Sequence, residues 1–569
     1  MKPLTVIDVF CGGGGFSEGF RQQGFEIELG IDRWQPAIDT FNHNFRLDCK
    51  ARNVLEFLES VDAIEGLPDT DVILGSPPCV SFSSSNISGK ADKSVGITLT
   101  QTFLRIVAVK KWKKGSKLQA WLMENVPRSV KHLASEYTFE DLGLGDWAIE
   151  NKIGPSKVAI RLSGNHEIVN SADYGSAQAR KRVISGELIA RKSLVVPEPT
   201  HSETASNGKK IWRTLVEIKN GLPDPSSSRK RFETTDPNYT NLKLFSDELT
   251  DHFYDTGLYE CEWNLSRYWK TNHPFMGKMS FPENEDKPSR TVTATKIGSS
   301  REALIYKSAL AREGNGEYRT PTVREAACLM GFPITYQFKG SEGTKWRLVG
   351  NAVCPSVSRA FAAQILIELG EESPAKPLLS EAVNTENVCN LNTFTEKIFN
   401  NPPKKNKGSR FRRHPFKDGN MTVTLSNYDI AEKTLTMGHW LTSVQYGTGN
   451  GFPNHVCSDD TYLRLEPQIA RFEKGFEFLT LINNGFLEKI GNSNQLQILH
   501  ELQNANGALL NPSQLVDEVG RIIDELDLDN QIFEDEDQII FKNKKKIPTK
   551  QLFALYAISR IAAKANRNE

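Results

Sequence analysis

The chain lacks paired cysteines. Its 8 cysteines among 569 residues are scattered, with no CxxC and no regular spacing. That argues against a zinc ribbon and a disulfide framework, and for a reducing compartment. It also lacks a charge surplus: 70 Lys and Arg balance 70 Asp and Glu. A nucleic-acid partner must therefore be held by local basic patches and not by a global field. No window offers about 18 uninterrupted apolar residues, so no membrane span is expected. The opening Met-Lys-Pro runs into a short strand-like stretch and is not expected to be a signal peptide. No internal repeat is visible. What is present is the ordinary composition of a globular protein, 38% hydrophobic and 25% charged. The chain is too long for a single core, so two or three domains are expected.

The first forty residues carry a strong pattern. TVIDVFCGGGGFSEGF begins at Thr5 as an apolar, strand-like run, passes through four glycines and enters a helix near Phe16–Gln23. A second strand over Glu26–Ile31 ends at Asp32, and a helix follows around Pro36–Asn44. Asp71–Leu74 and Ala120–Met123 read as a third and fourth strand. Strands alternating with helices predict a parallel sheet with crossover helices. Glycines between a strand and a helix allow the backbone to approach a ligand closely. An acid at the end of the second strand can accept hydrogen bonds from ribose hydroxyls. The loop departs from GxGxxG and lacks GK[ST], so a phosphate-binding P-loop is not expected.

A second stretch, ILGSPPCVSFSSSN, holds Cys79 behind two prolines, which stiffen the loop before it. A thiolate on a stiff loop at a strand end is a plausible nucleophile, although a lone cysteine is more often an inert buried filler. The next strand ends in Glu124-Asn125-Val126-Pro127, which places a carboxyl at the same sheet edge. A carboxylic acid beside a thiolate suits an acceptor ring attacked at one atom and hydrogen-bonded at another.

Six motifs in order complete the pattern: DVFCGGGGFSEGF (Asp8–Phe20), GSPPCVSFS (Gly75–Ser83), ENVPR (Glu124–Arg128), QARKRV (Gln178–Val183), RTPTVREAACLMGFP (Arg319–Pro333) and GNAVCPSV (Gly350–Val357). In identity and order they resemble the DNA (cytosine-5)-methyltransferase family. They frame about 370 residues and leave the C-terminal 190 or so uncovered. The resemblance implies a Rossmann-like α/β methyltransferase domain over 1–194 and 320–370, interrupted by a target-recognition region over 195–319. A linker over 371–409 and a mostly α-helical α+β accessory domain over 410–569 are expected to follow.

The resemblance implies S-adenosyl-L-methionine as cofactor. Phe10, Gly12, Gly14, Gly15 and Pro78 would line its site, Asp32 would hold the ribose, and Asn351 and Ala352 would close over the methionine end. Cys79 would attack C6 of a cytosine extruded from the duplex. Glu124 would bond N3 and the exocyclic amine, with Arg180 and Arg182 supporting the base site and Gln178 ordering that loop. Ser81, Ser83, Asn125 and Val126 would contact the substrate, as would Thr291 and Thr293 in PSRTVTATKIGSS, which resembles the family's Thr-rich strand and turn beside the DNA backbone. Two positions depart from the family. Val80 replaces the usual glutamine after the nucleophile, and Asn53 stands where an acid often follows the third strand to meet the adenine edge.

In the middle region, Lys209, Lys210, Arg229, Lys230 and Arg231 are candidate phosphate contacts. Most of the interspersed aromatics Trp212, Tyr239, Trp263, Tyr268 and Trp269 are expected in local cores. The basic run Pro402–Lys417 fits either DNA contact or a solvated linker. In the last helix, after Thr549, Leu552, Leu555, Tyr556 and Ser559 fall near one face. The expected function is methylation of a specific duplex DNA site by a cytoplasmic monomer, as the modification enzyme of a restriction–modification system with a separately encoded endonuclease. An RNA cytosine methyltransferase and a catalytically silent DNA-binding scaffold remain the alternatives, and no metal is expected.

Overall fold

In the computed structural model, the chain is described except at Met1 and residues 79–93, 228–230, 273–276, 313–314, 381–382, 384–393, 398–412, 419–420, 430–433, 437–438, 447–453, 503–508, 529–530, 537–539, 541–545 and 568–569. It divides into two compact units, Met1–Pro403 and Lys404–Glu569.

The first unit is built on a six-stranded sheet. In chain order its strands are β1 (Thr5–Val9), β2 (Glu26–Ile31), β3 (Val72–Gly75), β4 (Ala120–Asn125), β5 (His166–Asn170) and β6 (Lys181–Leu188), and in space they run β2-β1-β3-β4-β6-β5. The first four pair in parallel, β6 pairs antiparallel with β4, and β5 with β6. The four strands expected from the sequence are thus parallel, and an antiparallel hairpin that was not expected adds β6 and β5 at one edge. Every residue of β1, β3 and β4 is buried, because both faces are covered. Val6, Val72, Leu74 and Leu122 face one core, while Ile7, Ile73, Trp121 and Met123 face the other.

Helix α1 (Gly15–Arg21), α2 (Gln35–Phe45) and the long α3 (Ser94–Trp112) flank this sheet. Gly75 admits the ring of Phe103 from α3, for a Cβ there would lie 2.3 Å from it. Three later helices complete the unit: α4 (Val323–Met330), α5 (Glu342–Asn351) and α6 (Pro355–Leu369). Helix α4 starts in a capping box between Thr322 and Glu325 and stops at Gly331, whose φ of 93° supplies the left-handed cap. Helix α6 returns to the start of the chain. Gly19 of α1 leaves room for it, since a Cβ there would sit 2.4 Å from Arg359 N, and Ser358 Oγ bonds the Phe16 carbonyl. The most apolar helical stretch, Glu342–Leu369, is thus a core element, broken at Ala352–Cys354.

Among the described residues, the region over 195–319 holds short strands, two 3-10 turns and two α-helices, Leu215–Gly221 and Glu260–Asn272. Side-chain bonds hold it in place of ladders. Lys270, itself wholly buried, bonds Glu283 at 2.7 Å and the Ala303 carbonyl at 2.6 Å, and Arg290 binds the same carboxylate. The stretch expected as linker is partly tied down. Leu378 N bonds the Gln22 carbonyl, and Lys397 N bonds Asp255 Oδ2 at 2.8 Å beside the Arg312–Asp255 ion pair.

The second unit carries a four-stranded antiparallel sheet of β7 (Arg413–Asp418), β8 (Met421–Ser426), β9 (Leu441–Tyr446) and β10 (Asn454–Val456). The helix α7 (Thr549–Asn566) packs on it. The sequence expectation of one buried face is too narrow here, because Leu552, Phe553, Ala554, Leu555 and Tyr556 are all buried in succession. A helix covered all round is a core helix and not an amphipathic surface one.

Candidate active site

The parallel strands end along one edge of the sheet, and Phe10, Asp32 and Glu124 stand at the ends of β1, β2 and β4 there. This is where ligands bind in open α/β sheets. The glycine loop follows β1. Phe10 and Gly12 have φ of 61° and 52°, and among the described residues a Cβ on Gly12 would meet only Phe10 O, 4.0 Å away. Gly12 therefore leaves space for a ligand. Gly14 and Gly15 answer a different demand. A Cβ on Gly14 would lie 2.5 Å from the Tyr336 hydroxyl and 2.6 Å from Phe45, and one on Gly15 would lie 2.3 Å from the Val353 carbonyl oxygen. Their missing side chains clear protein atoms, so any part they take in lining the cofactor site falls to their backbone. Tyr336 seals the arrangement by donating to the Gly13 carbonyl at 2.6 Å.

Asp32, at the end of β2, accepts from Gly12 N at 3.1 Å through Oδ2 and from Trp34 N at 2.8 Å through Oδ1. Burial raises its pKa, against the pull of those two amides. Asn53 is placed ahead of the third strand, not after it, in the connection from α2; its Oδ1 accepts from Leu55 N, so the amide caps a turn. Asn351 ends α5 exposed, and Ala352 follows it buried at the cap.

At the end of β4, Glu124 is buried, and Arg182 Nε reaches its Oε1 at 2.8 Å. Burial raises the Glu124 carboxyl, and Arg182 and then Arg180 oppose that rise. The next residue, Asn125, donates to the Pro77 carbonyl at 3.3 Å and accepts from Val126 N. Gly75 is paired with Met123 across β3 and β4, so the chain leading through Pro78 toward Cys79 leaves the sheet beside Glu124. Cys79, Val80, Ser81 and Ser83 lie outside the described residues. Two other thiols of this unit, Cys11 and Cys354, are buried, and burial pushes both upward in pKa, away from thiolate chemistry.

The hairpin strand β6 begins at the same edge because it runs against β4, with Asn125 opposite Val183. This brings the QARKRV segment in. Gln178 Oε1 accepts from Val292 N at 3.1 Å, and Thr291 Oγ1 donates to the Ala179 carbonyl at 3.3 Å. Arg180 was expected at the base site. Its guanidinium donates to the carbonyls of Val292 at 3.0 Å, Gly350 at 3.0 Å and Ala352 at 3.2 Å, while its charge acts on Glu124. It therefore fastens two distant segments, and Arg182 is the arginine bonded to Glu124. The Thr-rich stretch from Pro288 is not a strand: it is extended, with one isolated bridge between Ser289 and Gln178 and a turn near Gly298. Thr293 Oγ1 bonds the Thr295 carbonyl.

Sequence reasoning missed Asp8, Trp34, Tyr336 and Trp346. For Asp8 the signal was present, as an acid inside an otherwise apolar buried strand. Among the candidate contacts of the middle region, Tyr239 and Trp263 are core, Trp212 donates to Asp173 at 2.8 Å, and Tyr268 and Trp269 are exposed. Arg231 lies over the Phe245 ring and near Asp247, Lys209 is half-buried, Lys210 is exposed, and Arg229 and Lys230 lie outside the described residues. Of the basic run from Pro402, only the part in β7 is described.

The family model of the C-5 cytosine-specific DNA methylase matches residues 4–366. The Type II methyltransferase M1.HphI of Haemophilus parahaemolyticus is 27% identical over 376 residues, covering 64% of this chain and 87% of that protein. M.NgoFVII of Neisseria gonorrhoeae matches with the same identity and coverage. Among solved structures, the Entamoeba histolytica methyltransferase EhMeth superposes with a TM-score of 0.40 at 16% identity, covering 65% of this chain and 99% of that one. The family match spans the sheet, its glycine loop, Glu124 and the returning helix α6, so the chain belongs to the C-5 cytosine-specific DNA methylase family and is a DNA (cytosine-5)-methyltransferase dependent on S-adenosyl-L-methionine.

Proposed function

We propose that this enzyme methylates one specific duplex DNA sequence through a covalent adduct of Cys79, as the modification half of a restriction–modification system. The observation that carries the chemistry is the buried Glu124–Arg182 pair, 2.8 Å apart, at the strand end beside the chain leading to Cys79. A non-catalytic scaffold has no use for a buried carboxyl whose pKa is raised and whose orientation an arginine fixes. The relatives named Type II methyltransferases support the modification role.

In this reading the target cytosine leaves the stack and enters beside β4. The Cys79 thiolate adds to C6, and Glu124 holds N3 and the exocyclic amine, so the electron density that gathers toward C5 is stabilised. S-adenosyl-L-methionine supplies the electrophilic methyl group to C5. Loss of the C5 proton and expulsion of the Cys79 thiolate restore the aromatic ring. Arg182 keeps Glu124 pointed at the base edge, and Asp32, with Gly12 and Phe10, receives the nucleoside end of the cofactor. Asn351 and Ala352 close the opposite side, and Thr291 and Thr293 meet the DNA backbone with the hydroxyls of Ser81 and Ser83.

Bisulfite sequencing of a plasmid propagated with the enzyme yields the target site directly. A duplex with 5-fluorocytosine at that site is then the decisive probe, because fluorine cannot leave as a cation and the adduct persists. The wild-type protein becomes covalently attached in the presence of cofactor, and Cys79→Ala does not, while still binding the cofactor. Attachment of Cys79→Ala, or none with wild type, refutes the assignment.

A further inference from the structure

Two segments assigned above to different ligands are fastened to one another. Helix α5 ends at Asn351 on the cofactor side, and residues 291–296 lie on the DNA side. Trp346 Nε1, from the middle of α5, donates to the Thr293 carbonyl at 2.9 Å. Lys296 Nζ bonds Glu342 Oε1 in the first turn of α5 at 2.7 Å and the Pro321 carbonyl at 3.1 Å, and it lies 4.9 Å from the centre of the Trp346 ring. The two backbones touch directly, for a Cβ on Gly350 would fall 2.4 Å from the Thr293 carbonyl oxygen. Arg180 adds the last stitch, from Val292 to Gly350 and Ala352.

Lys296 is the telling residue. A lysine in a segment facing DNA is ordinarily read as a phosphate contact. Here its side chain is only 16% exposed and its ammonium is committed to Glu342. Burial lowers its pKa while Glu342 pulls it back up. It points into the protein, toward the cofactor helix.

We propose that Trp346 and Lys296 are positioning residues that couple the cofactor site to the DNA-facing segment, so that occupancy of either raises affinity at the other. The proposal rests on the assignment of Asn351 to cofactor and Thr291 and Thr293 to DNA. Because α5 and residues 291–296 are joined at four points, ordering the end of α5 around a cofactor also orders the segment that meets DNA. The entropy of that ordering is then lost once and not twice. The coupling is reciprocal by linkage.

The experiment measures the affinity of the full-length protein for a short duplex bearing the mapped target site, with and without saturating S-adenosylhomocysteine. The ratio is the coupling factor, expected at about tenfold in the wild type, within the usual range for such couplings. Trp346→Phe keeps the ring and removes the donor, and Lys296→Met keeps the apolar stem and removes the charge. Each is expected to bring the factor within about threefold of unity, with affinity for S-adenosylhomocysteine alone changed by less than about threefold. Lys296→Met should also leave the salt dependence of DNA binding intact, whereas loss of a phosphate contact would lower its slope by about one. A wild-type factor of unity, a factor unchanged in both variants, or a reduced salt slope in Lys296→Met overturns the proposal. Asp32→Ala serves as a separate control: if it leaves S-adenosylhomocysteine binding intact, the cofactor assignment itself is wrong.

Discussion

Replacing Asp8 with asparagine tests whether one buried acid sets the pH dependence of stability in the catalytic unit. Asp8 sits in the middle of β1 with no solvent exposure. Its Oδ2 accepts from Ser17 Oγ at 2.7 Å, and its Oδ1 has no donor among the described residues. Burial raises its pKa to about 7, against the pull of the Ser17 side chain and amide, and Asp32 adds to the rise. In the unfolded chain the same carboxyl titrates near ~4. The folded protein therefore keeps a proton that the unfolded chain has lost, and the stability this confers is complete below the unfolded value and drains away as pH rises to the folded one. The slope is ~1.36 kcal/mol per pH unit, so between about pH 5 and about pH 7 this side chain removes ~2–3 kcal/mol. Asp8→Asn retains an acceptor for Ser17 and nearly the same shape but cannot ionise. Urea unfolding at a series of pH values, read by hydrogen exchange on peptides covering Thr5–Val9, isolates this sheet from the C-terminal unit. The stability difference between variant and wild type should shift by that amount in favour of the variant as pH rises, while every other titrating group cancels. Parallel stability curves for the two proteins would show that Asp8 is ionised throughout, and the reasoning would fail.

Glu124→Gln should lower kcat by about 10²–10⁴ while S-adenosylhomocysteine affinity, measured by calorimetry, stays close to wild type, since the carboxyl touches the base and not the cofactor. Gly15→Ala places a methyl carbon 2.3 Å from the Val353 carbonyl oxygen. It should destabilise the catalytic unit by about 1–3 kcal/mol in urea titrations and weaken cofactor binding by displacing the Ala352–Val353 turn.

The central sheet was legible because its strands are buried on both faces and so read as apolar runs. Glu26–Ile31 and the start of Ala120–Asn125 were located to the residue. The β5–β6 hairpin was not, because HEIVN and KRVISGEL mix charges into their strands and the second reads first as a basic motif. The region from 195 to 319 resisted for another reason. Its strands are two or three residues long, and contacts such as Lys270–Glu283 and Arg290–Glu283, invisible to any local pattern, hold them. The motifs pointed to Glu124, Asp32 and Arg180, and Arg180, whose charge acts on Glu124, also makes bonds that no motif announces. The family resemblance gave Arg180 a place by the base, and its hydrogen bonds to carbonyls 112, 170 and 172 positions away were not legible from it. Sequence spacing says which residue types a site needs. Which of two nearby arginines meets the carboxylate depends on the direction each side chain takes from the strand, and that is set by the returning chain.

The docking of α6 on α1 has a consequence for the protein's birth. The first helix leaves the ribosome with Phe16 and Phe20 unclothed, and the surface that covers them, around Ser358 and Phe361, is more than 300 codons downstream. At ordinary rates of translation that gap is on the order of tens of seconds. A nascent chain that waits so long with its earliest apolar surface open is a natural client for holding chaperones. Truncation before Pro355, which removes α6, should yield an insoluble product, even though every strand of the central sheet is already encoded.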